Sequence, residues 1–228
     1  MTEPRRAHPE RIDGAEFLST EPAGLTERPP EARPAEGALS GKRVAVLIHD
    51  GFEQTEFEVP VRTLRAAGAR VEVVAPDAAH LDRIKGESQG EPAAGTKGDR
   101  VLAETRPSDY DALLIPGGLK SPDSMRQSDA HLAFVRAFVE AGKPIGAICH
   151  GPWLLADVDA LRGRTVTSWP AIKRDLECRG AEWIDQEVVR DGPFVFSRKP
   201  DDAEAFGRAL VELLATRSAG SPRSERGH

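Results

Sequence analysis

A chain of 228 residues can form one sizeable α/β domain with a buried core, and its formal net charge of −6 comes from 37 acidic and 31 basic residues. The basic residues are scattered, and no apolar run approaches the roughly 20 residues that span a bilayer, so we expect neither a nucleic-acid partner nor a membrane partner. The first ten residues, MTEPRRAHPE, lack the apolar stretch of a secretory signal. Two cysteines are too few for a disulfide framework, so a reducing, cytoplasmic location is expected.

The two ends of the chain differ in composition from the rest. Residues 1–40 hold six of the 18 prolines and one aromatic residue, Phe17, and we predict an extension that wraps the domain or is partly disordered. Residues 217–228 have the same character and are predicted to be a flexible tail. The folded domain is therefore expected to span residues 41–216.

Within this domain, the first segments alternate between strand and helix patterns. KRVAVLI is typical of a strand buried on both faces. Phe57, Val61 and Leu64 follow at helical spacing, although Pro60 predicts a short or bent helix. RVEVVAP is the next strand, and the polar, glycine-rich residues 81–100 predict an irregular insertion.

The later segments continue the alternation. YDALLIPGG is a buried strand, and the helix after it is expected to be capped by Asp129. KPIGAI is a further strand, followed by a Gly-Pro pair that suits a helix start. EWIDQEVVRDGPFVFSR predicts a β-hairpin, and KPDDAEAFGRALVELLA predicts the final helix. The alternation indicates an α/β fold with a mostly parallel sheet covered on both faces.

Unusual residues follow three of the predicted strands. These loops are HDGFEQTE, PGGLKSPD and CHGP. In open parallel sheets, ligands bind beyond the carboxyl ends of the strands, so the three loops should meet in one crevice. We therefore expect a functional site there.

Cys149 and His150 are the candidate reacting groups of this crevice. A cysteine between a buried strand and a helix N-terminus is expected to have a lowered pKa and to act as a nucleophile, although an inert buried cysteine is the alternative. His150 could act as a base or as a hydrogen-bond donor, or could be an ordinary surface histidine. Adjacent side chains tend to point apart, so a third group would have to orient the imidazole ring.

Two acids and two glycines accompany these groups. Glu53 follows directly on a buried strand, and next to a thiolate it would stay protonated and donate to the sulfur. The alternative is an acid at a helix N-terminus, which suits Glu56 better than Glu53. Gly117 and Gly118 could supply the backbone N–H groups of an oxyanion hole, or could simply allow a tight strand exit.

Other candidates are weaker. Trp169 could line the crevice or belong to the packing, and Cys178 is interpreted as structural or incidental. A metal site formed by Cys149, His150 and Glu53 is disfavoured, because it has adjacent ligands and no third histidine at regular spacing. We therefore predict neither a metal nor a cofactor.

Long motifs in the right order resemble a known family. GFEQTE, ALLIPGG and KPIGAICHGPWLLADVDALRGRTVTSWPAIKRDLECRGAEWIDQEVVRDGPFVFSRKPDD, within residues 42–215, resemble the PfpI intracellular-protease branch of the DJ-1/PfpI family, especially its general stress proteins. The resemblance implies a flavodoxin-like three-layer α/β/α sandwich, related to class I glutamine amidotransferases. It also implies a strained nucleophile elbow.

The resemblance assigns roles to particular residues. It implies that Cys149 is the nucleophile, that Glu53 faces the elbow, and that Gly118 forms the oxyanion hole with the backbone N–H of His150. It implies that Asp123 orients His150 from a neighbouring subunit, so the protein would be at least a homodimer. Taken alone, Asp123 would be interpreted as a helix-cap acid.

The resemblance implies a stress-response protein with one of two modes of action. The first is cofactor-independent hydrolase, deglycase or glyoxalase chemistry, in which Cys149 attacks small carbonyl adducts or peptides. The alternative is a redox sensor or holdase chaperone whose cysteine is oxidised to sulfenic or sulfinic acid without turnover. A glutaminase is disfavoured, because no His-x-Glu stretch follows residue 150. Both modes depend on an accessible, ionisable sulfur.

Overall fold

The computed structural model describes residues 37–218, so most of the predicted extension and tail lies outside the described residues. The α-helices are α1 (Gln54–Ala66), α2 (Lys120–Arg126), α3 (Asp129–Glu140), α4 (Pro152–Asp157), α5 (Lys173–Cys178) and α6 (Ala203–Ser218). The strands are β1 (Arg43–Leu47), β2 (Phe52–Glu53), β3 (Arg70–Ala75), β4 (Gly86–Ser88), β5 (Glu91–Pro92), β6 (Arg100–Val101), β7 (Ala112–Ile115), β8 (Ile145–Ile148), β9 (Thr165–Val166), β10 (Glu182–Trp183), β11 (Val188–Asp191) and β12 (Phe194–Ser197). Among these residues, no helix is long and apolar enough to cross a bilayer.

The centre of the fold is a seven-stranded sheet in the order β11-β12-β8-β7-β1-β3-β6. All neighbours in it are parallel except β11 and β12, which form the predicted antiparallel hairpin. Strands β7 and β8 are buried throughout, which explains their continuous apolar sequences. Because β1, β7 and β8 are neighbours, the loops that follow them meet at one edge of the sheet.

Helices cover both faces of this sheet. On one face, Val44 and Val46 of β1 belong to a core cluster that contains residues of α1 and α6. On the other face, Ala45 and Leu47 belong to a cluster with residues of α3 and α4. The alternation along β1 therefore separates two cores, and the predicted three-layer α/β/α sandwich is confirmed.

Two local predictions were wrong, and a third was wrong in part. Pro60 predicted a short or bent helix, and α1 is not short: it runs for 13 residues through Pro60, because packing against the sheet and α6 outweighs the lost hydrogen bond. Within the predicted insertion, β4 and β5 form a small sheet with β2. Helix α3 is capped by Ser128, whose hydroxyl accepts the His131 N–H at 3.5 Å, and Asp129 is the first helical residue.

The folded region extends slightly past both predicted boundaries. Leu39 is fully buried in the core, and its N–H donates to the carbonyl oxygen of Ala67. At the other end, α6 runs to residue 218. The residues just before β1 therefore belong to the domain.

Candidate active site

Cys149 occupies a strained turn between β8 and α4. Its φ of +61° lies in the left-handed region that favours glycine, at a cost of about 1–3 kcal/mol. Two backbone hydrogen bonds hold it there: its N–H donates to Ser197 at 3.0 Å, and its carbonyl accepts from the N–H of Trp169 at 3.0 Å. The structure thus contains a sharp elbow at Cys149.

The elbow brings the neighbouring side chains of Cys149 and His150 together. The Sγ atom lies 3.2 Å from Nδ1 of the imidazole, although adjacent side chains usually diverge. His150 is partly buried, and loss of solvation lowers the pKa of its ring. A neutral imidazole at neutral pH can accept the thiol proton.

The carboxyl in contact with the sulfur belongs to Glu56. This side chain is fully buried and is hydrogen-bonded to Cys149, and its Oε2 accepts the Gly117 N–H at 3.0 Å. Burial raises the pKa of Glu56 to about 8, against the effect of its hydrogen bonds with Cys149 and the glycine amides. At neutral pH the carboxyl is therefore protonated and can donate a hydrogen bond.

The assignment of the elbow-facing carboxyl to Glu53 was wrong. Residues 52 and 53 form β2, and the Oε2 of Glu53 accepts the Gln89 N–H at 3.0 Å. Glu56 is the third residue of α1, and helical side chains lean towards the N-terminus, here towards the sulfur. The motif GFEQTE contains both acids. Which of the two carboxyls reaches the sulfur depends on where α1 begins, and the sequence alone does not show this.

The two glycines after β7 are required by close packing. A Cβ on Gly117 would collide with Cys149 and Glu56, and a Cβ on Gly118, whose φ is +79°, would collide with the carbonyl oxygen of Gly51. The backbone amides of Gly118 and His150 hydrogen-bond the Cys149 side chain. Two donors therefore lie where an oxyanion would form beside the sulfur.

The acidity of Cys149 differs from the sequence-based expectation. The residue is 6% exposed, and burial, followed by the nearby Glu56, raises the pKa of its thiol, while the amides of Gly118 and His150 act in the opposite direction. The expected lowered pKa was wrong, because α4 has only six residues and the sulfur is poorly solvated. A nearby base must therefore remove the thiol proton during reaction.

These groups line a pocket of about 720 Å³. Its walls include five residues singled out from the sequence: Glu53, Gly118, Cys149, His150 and Trp169. The three loops therefore meet in one crevice, as predicted. The roles assigned to the pocket residues stay predictions. Glu56, Leu119 and a segment around Pro200 also line the pocket.

Two candidates lie elsewhere. Asp123 is exposed on α2, where its carboxylate accepts a hydrogen bond from Gln127 at 3.3 Å, and within the described residues it makes no contact with His150. Cys178 is an exposed free cysteine at the end of α5. Across residues 37–218, no group of three or more His, Cys, Asp or Glu is arranged to hold a metal ion.

Comparisons with known proteins match the folded region of the chain. The model of the DJ-1/PfpI family matches residues 42–213. The chain is 44% identical to protein/nucleic acid deglycase 2 of Escherichia coli over 174 residues and 40% identical to general stress protein 18 of Bacillus subtilis over 175 residues; each alignment covers 76% of this chain and 98% of the relative.

A solved structure is similar over the same region. It is a two-domain protein of Anabaena variabilis with DJ-1/ThiJ/PfpI-like and ferritin-like domains, at a TM-score of 0.71 and 35% identity. The alignment covers 82% of this chain and 52% of that protein, so this chain spans about half of the two-domain protein.

Proposed function

The chain belongs to the DJ-1/PfpI family, and we propose that it is a cytoplasmic stress-response enzyme whose Cys149 attacks the carbonyl carbon of small adducts or peptides. The observation that carries this proposal is the 3.2 Å contact between Sγ and Nδ1 of His150, beside two backbone amides that can receive an oxyanion. The name of one relative, a deglycase, supports this chemistry, and the name of another, a general stress protein, supports the role in a stress response.

The proposed first step is addition of the thiol to the substrate carbonyl. As the Sγ–C bond forms, the thiol proton passes to Nδ1 of His150, and the carbonyl π electrons move to oxygen. The amides of Gly118 and His150 stabilise the resulting oxyanion.

In the second step of the proposed reaction, the oxyanion collapses. In an N-acyl substrate, the C–N bond to the attacked carbon breaks, the amine leaves with the proton held by His150, and a thioester with Cys149 remains. Water then cleaves the thioester and restores the thiol. While the carboxyl of Glu56 keeps its proton, it places no second negative charge beside the sulfur; once ionised, it raises the pKa of the thiol and opposes thiolate formation.

The alternative is a redox sensor or holdase without turnover. Oxidation follows thiolate character and exposure. Burial of Cys149 and the raised pKa of its thiol disfavour oxidation of the resting protein, whereas an adjacent base suits catalysis on a bound substrate. Burial and the raised pKa act against both modes, so it is the adjacent base, His150, that favours the enzyme.

Two parallel measurements on the unmodified protein test this proposal. We expect release of free amine from methylglyoxal adducts of N-acetyl-lysine or from a peptide panel, and slow peroxide oxidation of Cys149 by mass spectrometry. The exposed Cys178 serves as the internal reference for oxidation. Absence of turnover, with oxygen added at Cys149 faster than at Cys178, would favour the sensor and overturn the enzyme.

We also propose a homodimer in which Asp123 of one copy orients His150 of the other. The exposed carboxylate on α2 is free to reach across an interface, and the Nδ1 contact with sulfur leaves Nε2 for such an acid. We expect Asp123→Asn to lower kcat about 10-fold or more without changing the sedimentation coefficient of a dimer. Asp129→Asn, at an exposed acid on α3, is the matched control. A fully active monomer would contradict the proposal.

A further inference from the structure

The pocket beside Cys149 has an exposed apolar rim. Among the described residues, the exposed large hydrophobic side chains are Leu119 and Trp169, at 56% and 39% exposure, and both line this pocket. Single exposed hydrophobic residues are common, but their confinement to the wall of one pocket marks a binding surface.

The backbone fixes both side chains relative to the reacting atoms. Leu119 directly follows Gly118, whose amide contacts the sulfur. The N–H of Trp169 donates to the carbonyl oxygen of Cys149, and its ring is stacked on His150 with centroids 6.2 Å apart. Any group held between the two side chains therefore lies next to the carbon that Cys149 attacks.

The pocket is also too large for the smallest carbonyl compounds. Volumes of about 300–1,000 Å³ are typical of sites for drug-sized ligands, and this pocket has about 720 Å³. Methylglyoxal would leave most of this volume and the apolar rim unfilled. A polar residue lines the same pocket: it is Glu53, whose buried Oε1 has no hydrogen-bond partner among the described residues.

We propose that Leu119 and Trp169 form a subsite for a large aliphatic or aromatic group next to the reacting carbonyl. This inference rests on the proposed function and narrows its substrates to N-acyl or carbonyl-adducted amines that carry such a group. Free methylglyoxal and adducts on small, polar residues are poor substrates of this site.

The test uses alkylation of Cys149, which needs an accessible sulfur but no turnover. In the full chain with Cys178→Ser, rate constants are measured for iodoacetamide and for N-benzyl-iodoacetamide. In both reactions the Sγ–C bond forms and iodide leaves. The ratio of the two constants is divided by the same ratio for glutathione, which removes intrinsic reactivity.

We expect a normalised ratio of about 10 in favour of the benzyl reagent, since partial burial of a phenyl group gives about tenfold tighter binding. Leu119→Ala and Trp169→Ala should each lower it about threefold or more, and Leu132→Ala, at a partly buried leucine on α3, should not. A ratio near 1, or one unchanged by both rim variants, overturns the subsite while leaving the nucleophile intact.

Two further outcomes also count against the subsite. If the rim variants change the mass in solution and leave the ratio unchanged, the side chains belong to an interface between copies. A Cys149 that reacts with neither reagent overturns both the subsite and the proposed function.

Discussion

Replacing Cys149 by alanine is expected to lower kcat by at least about 10³-fold, because no other group can form the covalent bond to the substrate. His150→Ala is expected to cost about 10²- to 10⁴-fold, the usual contribution of a positioned base. The effect of this base should be large here, because burial raises the pKa of the thiol and leaves little thiolate without proton transfer. The measurement is release of amine from the adducts described above.

The second cysteine provides the matched control for this prediction. Cys178→Ser changes an exposed thiol on α5, away from the pocket, and should leave kcat within about twofold of the parent, as is usual for surface substitutions. A Cys149→Ala protein that kept a tenth of the parent activity would contradict the assigned nucleophile. Equal effects of both substitutions would indicate a general disturbance of the fold.

The sheet could be predicted from sequence because its signals are local. The apolar runs of β1, β7 and β8 are continuous, since each strand is buried on both faces, and the Asp191-Gly192 pair marks the hairpin turn. The convergence of three loops follows from parallel topology alone. The full length of α1 was not predicted, because the cost of Pro60 is offset by packing of α1 against α6, which no local pattern reveals.

The details of the site depend on tertiary geometry. Choosing Glu56 over Glu53 requires knowledge of where β2 ends and α1 begins. The contact between the adjacent Cys149 and His150 depends on a positive φ that few residues adopt. The raised pKa of the thiol depends on burial, whereas the sequence indicated only a helix start.

Glu56→Gln is expected to change how stability depends on pH. The pKa of Glu56 is about 4.5 in the unfolded chain and about 8 in the folded protein. Below about pH 4.5 the folded and the unfolded states both hold the proton, so the contribution of Glu56 to the free energy of unfolding is fully present. Between 4.5 and 8 only the folded state holds it, so stability falls as pH rises, by about 1.36 kcal/mol per pH unit and of order 5 kcal/mol in total.

Burial of His131 has the opposite effect on the pH dependence of stability, so its contribution must be separated from that of Glu56. Burial lowers the pKa of His131 to about 4, so this ring makes stability rise with pH between about 4 and 6.5. Because Glu56→Gln leaves His131 in place, the difference between the parent and the variant isolates the carboxyl. Urea unfolding is measured at pH 5, 6.5 and 8. The free energy of unfolding of Glu56→Gln, relative to that of the parent, should increase at each step.

Glu53→Gln is the matched control, since it removes a carboxyl from the same pocket without touching the sulfur. The Glu53→Gln protein should keep most of the decline in its free energy of unfolding with rising pH, because burial, the largest cause of the raised pKa of Glu56, is unchanged and only the smaller effect of the Glu53 charge is lost. Parallel curves for the parent and Glu56→Gln would mean that Glu56 is ionised in the folded protein at neutral pH. In that case a second negative charge would oppose thiolate formation at Cys149, and the protonated carboxyl would have to be removed from the proposed reaction.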